Sequence, residues 1–129
     1  MATLVDKDFF ARLAELNDKF AASVPDTLAR LQTQRDSVDV AAPDAAVIAD
    51  IHQTLHTIAG SAATFGFRTF GQQARQLEQR LRVLKAFPVV APADWSRWLA
   101  ELDVYLAWSA VDPKSACSPG QAGDDPLVK

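Results

Sequence analysis

Apolar residues recur at intervals of three and four positions along most of the chain, which is the spacing of helices that bury one side. The clearest stripe consists of Ile48, Ile51, Leu55, Ile58, Ala62 and Phe65. Asp44 precedes this run where an N-cap is expected, and Gly66 follows it where a left-handed stop is expected. We therefore expect a helix from about Ala45 to Phe65 with one face in a core.

A second stripe lies in residues 6 to 36, which we expect to be helical. Its members are Phe9, Leu13, Leu16, Phe20, Val24, Leu28 and Leu31. Pro25 interrupts it, and because proline removes a helical hydrogen bond we expect a break or bend near residues 22–24. Phe9 and Phe20 are candidates for the core.

Two more helices are expected after Gly66. The first, about Arg68 to Phe87, would bury Phe70, Ala74, Leu77, Leu81 and Leu84. The second, about Ala93 to Ala110, would bury Trp95, Trp98, Leu99, Leu102, Tyr105 and Leu106. Its tryptophans are expected to pack in the core rather than stack on nucleobases, because few basic residues surround them.

The pattern as a whole predicts an all-α protein. The connector at Gly66 is so short that the following helix must turn back beside the preceding one. We therefore expect an up-and-down antiparallel four-helix bundle with a short or kinked N-terminal helix over residues 1–111. Residues 112–129 are rich in polar residues, proline and glycine, a composition typical of a disordered tail.

Composition narrows the classes of function. The 129 residues carry a net charge of −3, which argues against a general nucleic-acid binder. No apolar run is long enough to span a membrane, and the first residues do not resemble a signal peptide. The single Cys117 leaves no pair for a disulfide and no cysteine cluster for a metal. These features suit a monomeric cytoplasmic protein that binds neither nucleic acid nor membrane.

One histidine stands apart from the apolar stripe of the second helix. At about 100° per residue, His56 lies about 140° from Ile51, on or near the exposed side. Its neighbours on that side include Gly60 and Ala63, although an exposed helix surface usually carries long polar side chains. Gly60 also costs about 0.5–1 kcal/mol in the middle of a helix. These small residues leave space beside the imidazole, which would let another protein approach it.

The segment His56-Thr-Ile-Ala-Gly-Ser-Ala-Ala-Thr-Phe-Gly66, with Leu77-Glu78 on the next helix, resembles the histidine phosphotransfer (HPt) domain of phosphorelays. The resemblance covers most of residues 5 to 110. The chain keeps the histidine, the glycines four and ten places after it, the small pair between them and the glutamate. It departs from the pattern at Ala59, where the family usually has lysine.

The resemblance implies a role for each of several residues. His56 would accept and donate the phosphoryl group, and Glu78 would orient its ring by accepting a hydrogen bond from one ring nitrogen. From the residues alone, Glu78 is better explained as a surface carboxylate paired with Arg75 or Arg82. The residues expected to dock the partner are His52, Ala59, Gly60, Ala63, Phe67 and Arg75. Arg68, Arg75 or Arg82 could supply the positive charge that Ala59 lacks.

The implied function is a phosphocarrier rather than an enzyme, since the sequence shows no ATP-binding motif. His56 would receive phosphate from the aspartate of one receiver domain and pass it to another. The partners would be response-regulator receiver domains and a hybrid sensor histidine kinase. No cofactor is expected on this chain, because the receiver would supply Mg²⁺.

Two other hypotheses remain open at this point. An HPt-like adaptor would bind a receiver domain or kinase without exchanging phosphate, which the absence of lysine at position 59 would suit. Alternatively, His52 and His56 have the i, i+4 spacing of paired metal ligands on a helix. The glutamate that zinc proteases place after the first histidine is Gln53 here, and the chain has no third histidine. We therefore expect no metal site.

Overall fold

A computed structural model describes the backbone of residues 2–115 and the side chains of residues 7–115. Within that range the chain forms α1 (Ala2–Asp36), α2 (Ala45–Ser61), α3 (Arg68–Lys85) and α4 (Pro92–Val111), and no strand. A 3-10 turn, Ala62–Phe65, continues α2 toward α3. The fold is an all-α bundle, as predicted. Most of the tail expected from 112 onward, residues 116–129, lies outside the described residues.

Asp44 and Gly66 bound the predicted segment Ala45–Phe65, but its α-helical part, α2, ends at Ser61 and the 3-10 turn completes it. The Asp44 carboxylate accepts a hydrogen bond from the backbone N–H of Ala46 at 2.8 Å, which makes it the N-cap. Gly66 adopts a left-handed φ of 91°, and its N–H donates to the carbonyl of Ala63. Because only Gly66 and Phe67 connect the 3-10 turn to α3, the chain reverses sharply and α3 packs beside α2.

Of the break or bend predicted near residues 22–24, the break does not occur, since α1 continues through Pro25 from Ala2 to Asp36. Proline inside a helix costs about 3 kcal/mol or more. Here Pro25 is on the exposed side, where water can hydrate the carbonyl that loses its bond. Val24 and Leu31 are both buried in the same core, so packing on either side of the proline holds the helix together.

The first half of α1 extends beyond the core, so the assignment of Phe9 to the core is wrong. Phe9 is 59% exposed, and Phe10 and Leu16 are similarly uncovered. The 35 residues of α1 span about 52 Å, against about 26 Å for the 17 residues of α2. Phe20 is half-buried, and its ring lies 5.3 Å from that of Phe65. The stripe thus meets partner helices only from about Phe20 onward.

Helix α4 is fixed to α3 by buried hydrogen bonds as well as by apolar contact. The indole of Trp98 donates to the carbonyl of Leu77 at 3.1 Å, and the hydroxyl of Tyr105 donates to that of Phe70 at 3.0 Å. The rings of Phe70 and Tyr105 stack at 5.4 Å. The core placement predicted for Trp95 and Trp98 is confirmed. At the opposite edge of α4, Arg35 pairs with Asp103 through two bonds of 2.7 and 2.9 Å.

Helix α3 comes close to the 3-10 turn that follows α2 at Gly71. A Cβ atom at Gly71 would lie 3.1 Å from the Cβ of Ala62, closer than most side-chain contacts. Two turns further along the same edge of α3 lies Glu78, and one turn beyond that lies Arg82. The close approach therefore holds this edge of α3 against α2.

None of the helices in the described part of the chain has the length and apolarity needed to cross a bilayer.

Candidate functional site

A single carboxylate oxygen joins side chains of α2 and α3. The side chain of Glu78 is only 5% exposed, and its Oε2 accepts three hydrogen bonds. The donors are His56 Nδ1 at 2.8 Å, His52 Nε2 at 3.1 Å and Arg82 Nη2 at 3.0 Å. A buried carboxylate costs free energy unless it is well paired, and here three donors satisfy one oxygen.

The imidazole of His56 is bound on one side and open on the other. Its side chain is 63% exposed, although Nδ1 is hydrogen-bonded to the buried Glu78. Because an ionised carboxylate can only accept, Nδ1 carries the proton, and in the neutral ring Nε2 therefore keeps its lone pair. One turn further along α2, Gly60 is exposed, and a Cβ there would meet nothing within 4 Å among the described residues. A second protein can therefore reach the ring.

His52 is held at both ring nitrogens. Its Nε2 faces Glu78, and its Nδ1 lies 3.1 Å from the ammonium of Lys85. The Lys85 contact was missed from the sequence. The signal available was its position seven residues after Glu78, which puts both on one edge of α3. His52 is only 23% exposed, so it offers a partner little surface.

The other predicted docking residues divide into two groups. Gly60, Ala63 and Arg75 are exposed, and Arg75 Nη2 donates to the carbonyl of Ala59 at 3.3 Å. Ala59 and Phe67 are buried, with exposures of 8% and 2%, so assigning their side chains to the docking surface was wrong.

The physical reason differs for the two buried residues. Ala59 lies at the boundary of the apolar stripe, and its carbonyl accepts a hydrogen bond from Arg75 of α3. The turn at Gly66 sends Phe67 back into the core, where its ring lies 5.0 Å from that of Phe20 and 6.2 Å from that of Phe70. The ammonium of Lys114 lies 5.4 Å from the centre of the Phe67 ring.

The environment of Glu78 favours its ionised form. Burial raises the pKa of Glu78, but the hydrogen bonds from His56 and His52, together with the positive charge of those rings, lower it by more. The pKa therefore lies below its usual value of 4.5. At neutral pH the carboxylate is charged and serves only as an acceptor.

This shift predicts how stability depends on pH. A carboxyl whose pKa is lower in the folded state stabilises the protein above its unfolded pKa, and this contribution is lost as pH falls through the folded pKa. We expect the stability advantage of the wild type over Glu78→Gln to shrink as pH falls below about 4.5, measured by urea unfolding at several pH values. A difference that stays constant over this range would contradict the assigned shift.

The histidine pair does not form part of a recognisable metal centre. Within residues 2–115, no three His, Cys, Asp or Glu side chains are arranged to hold a metal ion. His52 and His56 instead direct one nitrogen each to the same carboxylate oxygen at hydrogen-bond distances. Direct coordination to zinc would need distances of about 2.0–2.2 Å to a shared ion.

Comparison with known proteins gives one match. The family model described as "Hpt domain" matches residues 15–108, which include all of α2 and α3 and most of α4. No curated protein and no solved structure matches the chain. The match spans well over half of the sequence and contains every residue of the cluster around Glu78. The chain therefore belongs to the Hpt domain family.

Proposed function

We propose that this chain is a histidine phosphotransfer protein, in which His56 takes a phosphoryl group from a receiver-domain aspartate and passes it to another. Hpt domains take part in phosphorelay histidine phosphotransfer as carriers without kinase activity of their own. One observation carries the proposal for this chain: the exposed imidazole of His56 is bonded through Nδ1 to the buried carboxylate of Glu78.

The transfer step follows from that hydrogen bond. With the proton held on Nδ1, the lone pair of His56 Nε2 attacks the phosphorus of an aspartyl phosphate. The Nε2–P bond forms as the P–O bond to the aspartate breaks, and the electron pair of that bond stays on the departing carboxylate. The ring gains a positive charge and keeps its Nδ1 proton. The Glu78 carboxylate, 2.8 Å away, stabilises that charge, and the reverse sequence delivers the group to the next receiver.

Charge on the transferring group must also be neutralised, because phosphoryl transfer depends mainly on positioning and electrostatics. Mg²⁺ held by the receiver would neutralise part of the charge on the phosphoryl oxygens. On this chain, Arg82 donates to the same Glu78 oxygen as His56, at 3.0 Å and 2.8 Å respectively. Its guanidinium is thus close to the imidazole, and 64% of the side chain is exposed. We propose that Arg82 supplies part of the positive charge that a lysine at position 59 would provide.

The proposed partners are receiver domains of response regulators and a hybrid sensor histidine kinase, bound by a monomer in the cytoplasm. The exposed surface at Gly60 and Ala63 supports close docking at His56. Ala59 supports a second candidate, an adaptor that binds a receiver without transfer, because an alanine cannot hold phosphoryl oxygens.

A transfer assay separates these two functions. We expect phosphorylated receiver domains with Mg²⁺ to label the wild-type chain within minutes, and the label to be labile in acid but stable in alkali, as for a phosphoramidate on imidazole. Transfer onward to an unlabelled receiver would complete the relay. Receiver binding without any label would contradict the carrier function and support the adaptor.

A further inference from the structure

A line of hydrogen bonds runs from the end of α3 to the imidazole of His56. Lys85 Nζ contacts His52 Nδ1 at 3.1 Å, His52 Nε2 contacts Glu78 Oε2 at 3.1 Å, and that oxygen contacts His56 Nδ1 at 2.8 Å. Two of its members belong to α2 and two to α3, so it crosses the interface between the helices.

The direction of these bonds is fixed by chemistry. An ammonium group can only donate, so Nδ1 of His52 must accept from Lys85. The proton of the neutral His52 ring is then on Nε2, where it is donated to the ionised Glu78. Lys85 therefore selects the single tautomer of His52 that can donate to this carboxylate.

The burial of these groups shows why His52 matters to the ring beside it. Glu78 is 5% exposed, so solvent cannot readily replace a lost donor at Oε2. Without His52, the oxygen keeps His56 and the exposed Arg82, and its carboxylate is free to turn toward the arginine. The Nδ1 proton of His56 would then lose a fixed acceptor.

We propose that His52 is a positioning residue for phosphotransfer, which together with Lys85 fixes the Glu78 carboxylate so that His56 presents Nε2 to the receiver. This inference rests on the proposed function and adds a residue to it. It also implies that His52 is not itself an acceptor, because Nδ1 is engaged by Lys85 and Nε2 carries the donated proton.

Two substitutions at His52 test the proposal. Glutamine can accept from Lys85 through its carbonyl and donate to Glu78 through its amide, whereas leucine can do neither. We expect His52→Leu to slow transfer from a phosphorylated receiver about 10- to 100-fold, a typical effect of losing an outer-shell orienting group. His52→Gln should retain most of the wild-type rate. Both variants should carry label on His56 only.

The tautomer of His56 gives a readout that loss of stability alone would not change. Nitrogen-15 chemical shifts of the ring distinguish protonated from unprotonated Nδ1. We expect one tautomer in the wild type and in His52→Gln, and a mixture in His52→Leu. Lys85→Met tests the same line with the His52 ring in place, should the leucine variant fail to fold. Arg97→Met, which removes an exposed cation from α4, is the matched control and should change neither readout.

The possible outcomes separate this inference from the function it builds on. If His52→Leu keeps the wild-type rate and the wild-type His56 tautomer, the positioning role is wrong while the carrier function stands. If the wild type takes no label, the carrier function fails, and the shifts of His56 alone decide whether His52 orders the ring. Label found on His52 would overturn the inference outright.

Discussion

Replacing His56 by glutamine is expected to reduce phosphoryl transfer from a receiver domain by more than about 1,000-fold, because the substitution removes the nucleophile itself. The fold should be little affected. The side chain is 63% exposed, and the amide of glutamine can still donate to the buried carboxylate of Glu78. Single-turnover labelling with a phosphorylated receiver measures the effect, and urea unfolding checks stability, which should change by no more than about 1 kcal/mol.

The matched control for this result is His52→Gln, which alters the other histidine on the same face of α2 and should still accept the label. Strong labelling of the His56→Gln protein would show that a different residue is the acceptor. Receiver binding should persist in His56→Gln, because the exposed surface at Gly60 and Ala63 is unchanged. Loss of binding as well as label would place the imidazole in the docking contact.

The second large effect is expected at Glu78. Glutamine at this position keeps a carbonyl acceptor but lacks the negative charge that stabilises the ring as it becomes cationic during transfer. Hydrogen bonds with an ionised partner are about twice as strong as neutral ones, and loss of precise orientation alone can cost about 100-fold in rate. We therefore expect Glu78→Gln to slow transfer about 10- to 100-fold while His56 remains the labelled residue.

Rapid-quench measurement of the first turnover checks this prediction. The control is Glu101→Gln, which removes a carboxylate of α4 that pairs with Arg80 at 2.9 Å. It should leave the rate of transfer unchanged. If Glu78→Gln also transfers at the wild-type rate, then Glu78 serves only as a structural hydrogen-bond acceptor for Arg82 and the two histidines.

Much of the fold was accessible from the sequence because its determinants are local. The Asp44 cap and the left-handed Gly66 each depend on a few neighbouring residues, and both are found where they were predicted. The stripes of α2, α3 and α4 predicted the buried faces for the same reason. Helix periodicity reports which side of a helix is apolar, and for these three helices another helix covers that side.

The errors arise where the outcome depends on the length or direction of a neighbour. The stripe that contains Phe9 is regular, but no periodicity shows that the other helices end before reaching it. Pro25 was expected to break or bend α1, and no break occurs because packing of Val24 and Leu31 on both sides offsets the cost of the proline. Phe67 follows a turn whose exit direction is set by the conformation of Gly66 and the space beside Phe20.

The candidate site was only partly accessible for a similar reason. The positions of His56 and Glu78 follow a family pattern, whereas the bond between Lys85 and His52 joins residues 33 positions apart. It depends on how α3 is rotated about its own axis against α2. Sequence spacing places Lys85 on the correct edge of α3 but does not give that rotation.

The small contact between Gly71 and Ala62 has a consequence for how this protein tolerates change. Glu78 is two turns from Gly71 along α3. Any side chain at position 71 would push this end of α3 away from Ala62 and tilt the helix. Because Glu78 lies on α3 and both histidines lie on α2, even a slight outward tilt of α3 would lengthen both hydrogen bonds at once. The geometry at His56 therefore depends on Gly71, which has no functional group of its own. Substitutions at Gly71 should impair phosphoryl transfer even where the bundle stays folded.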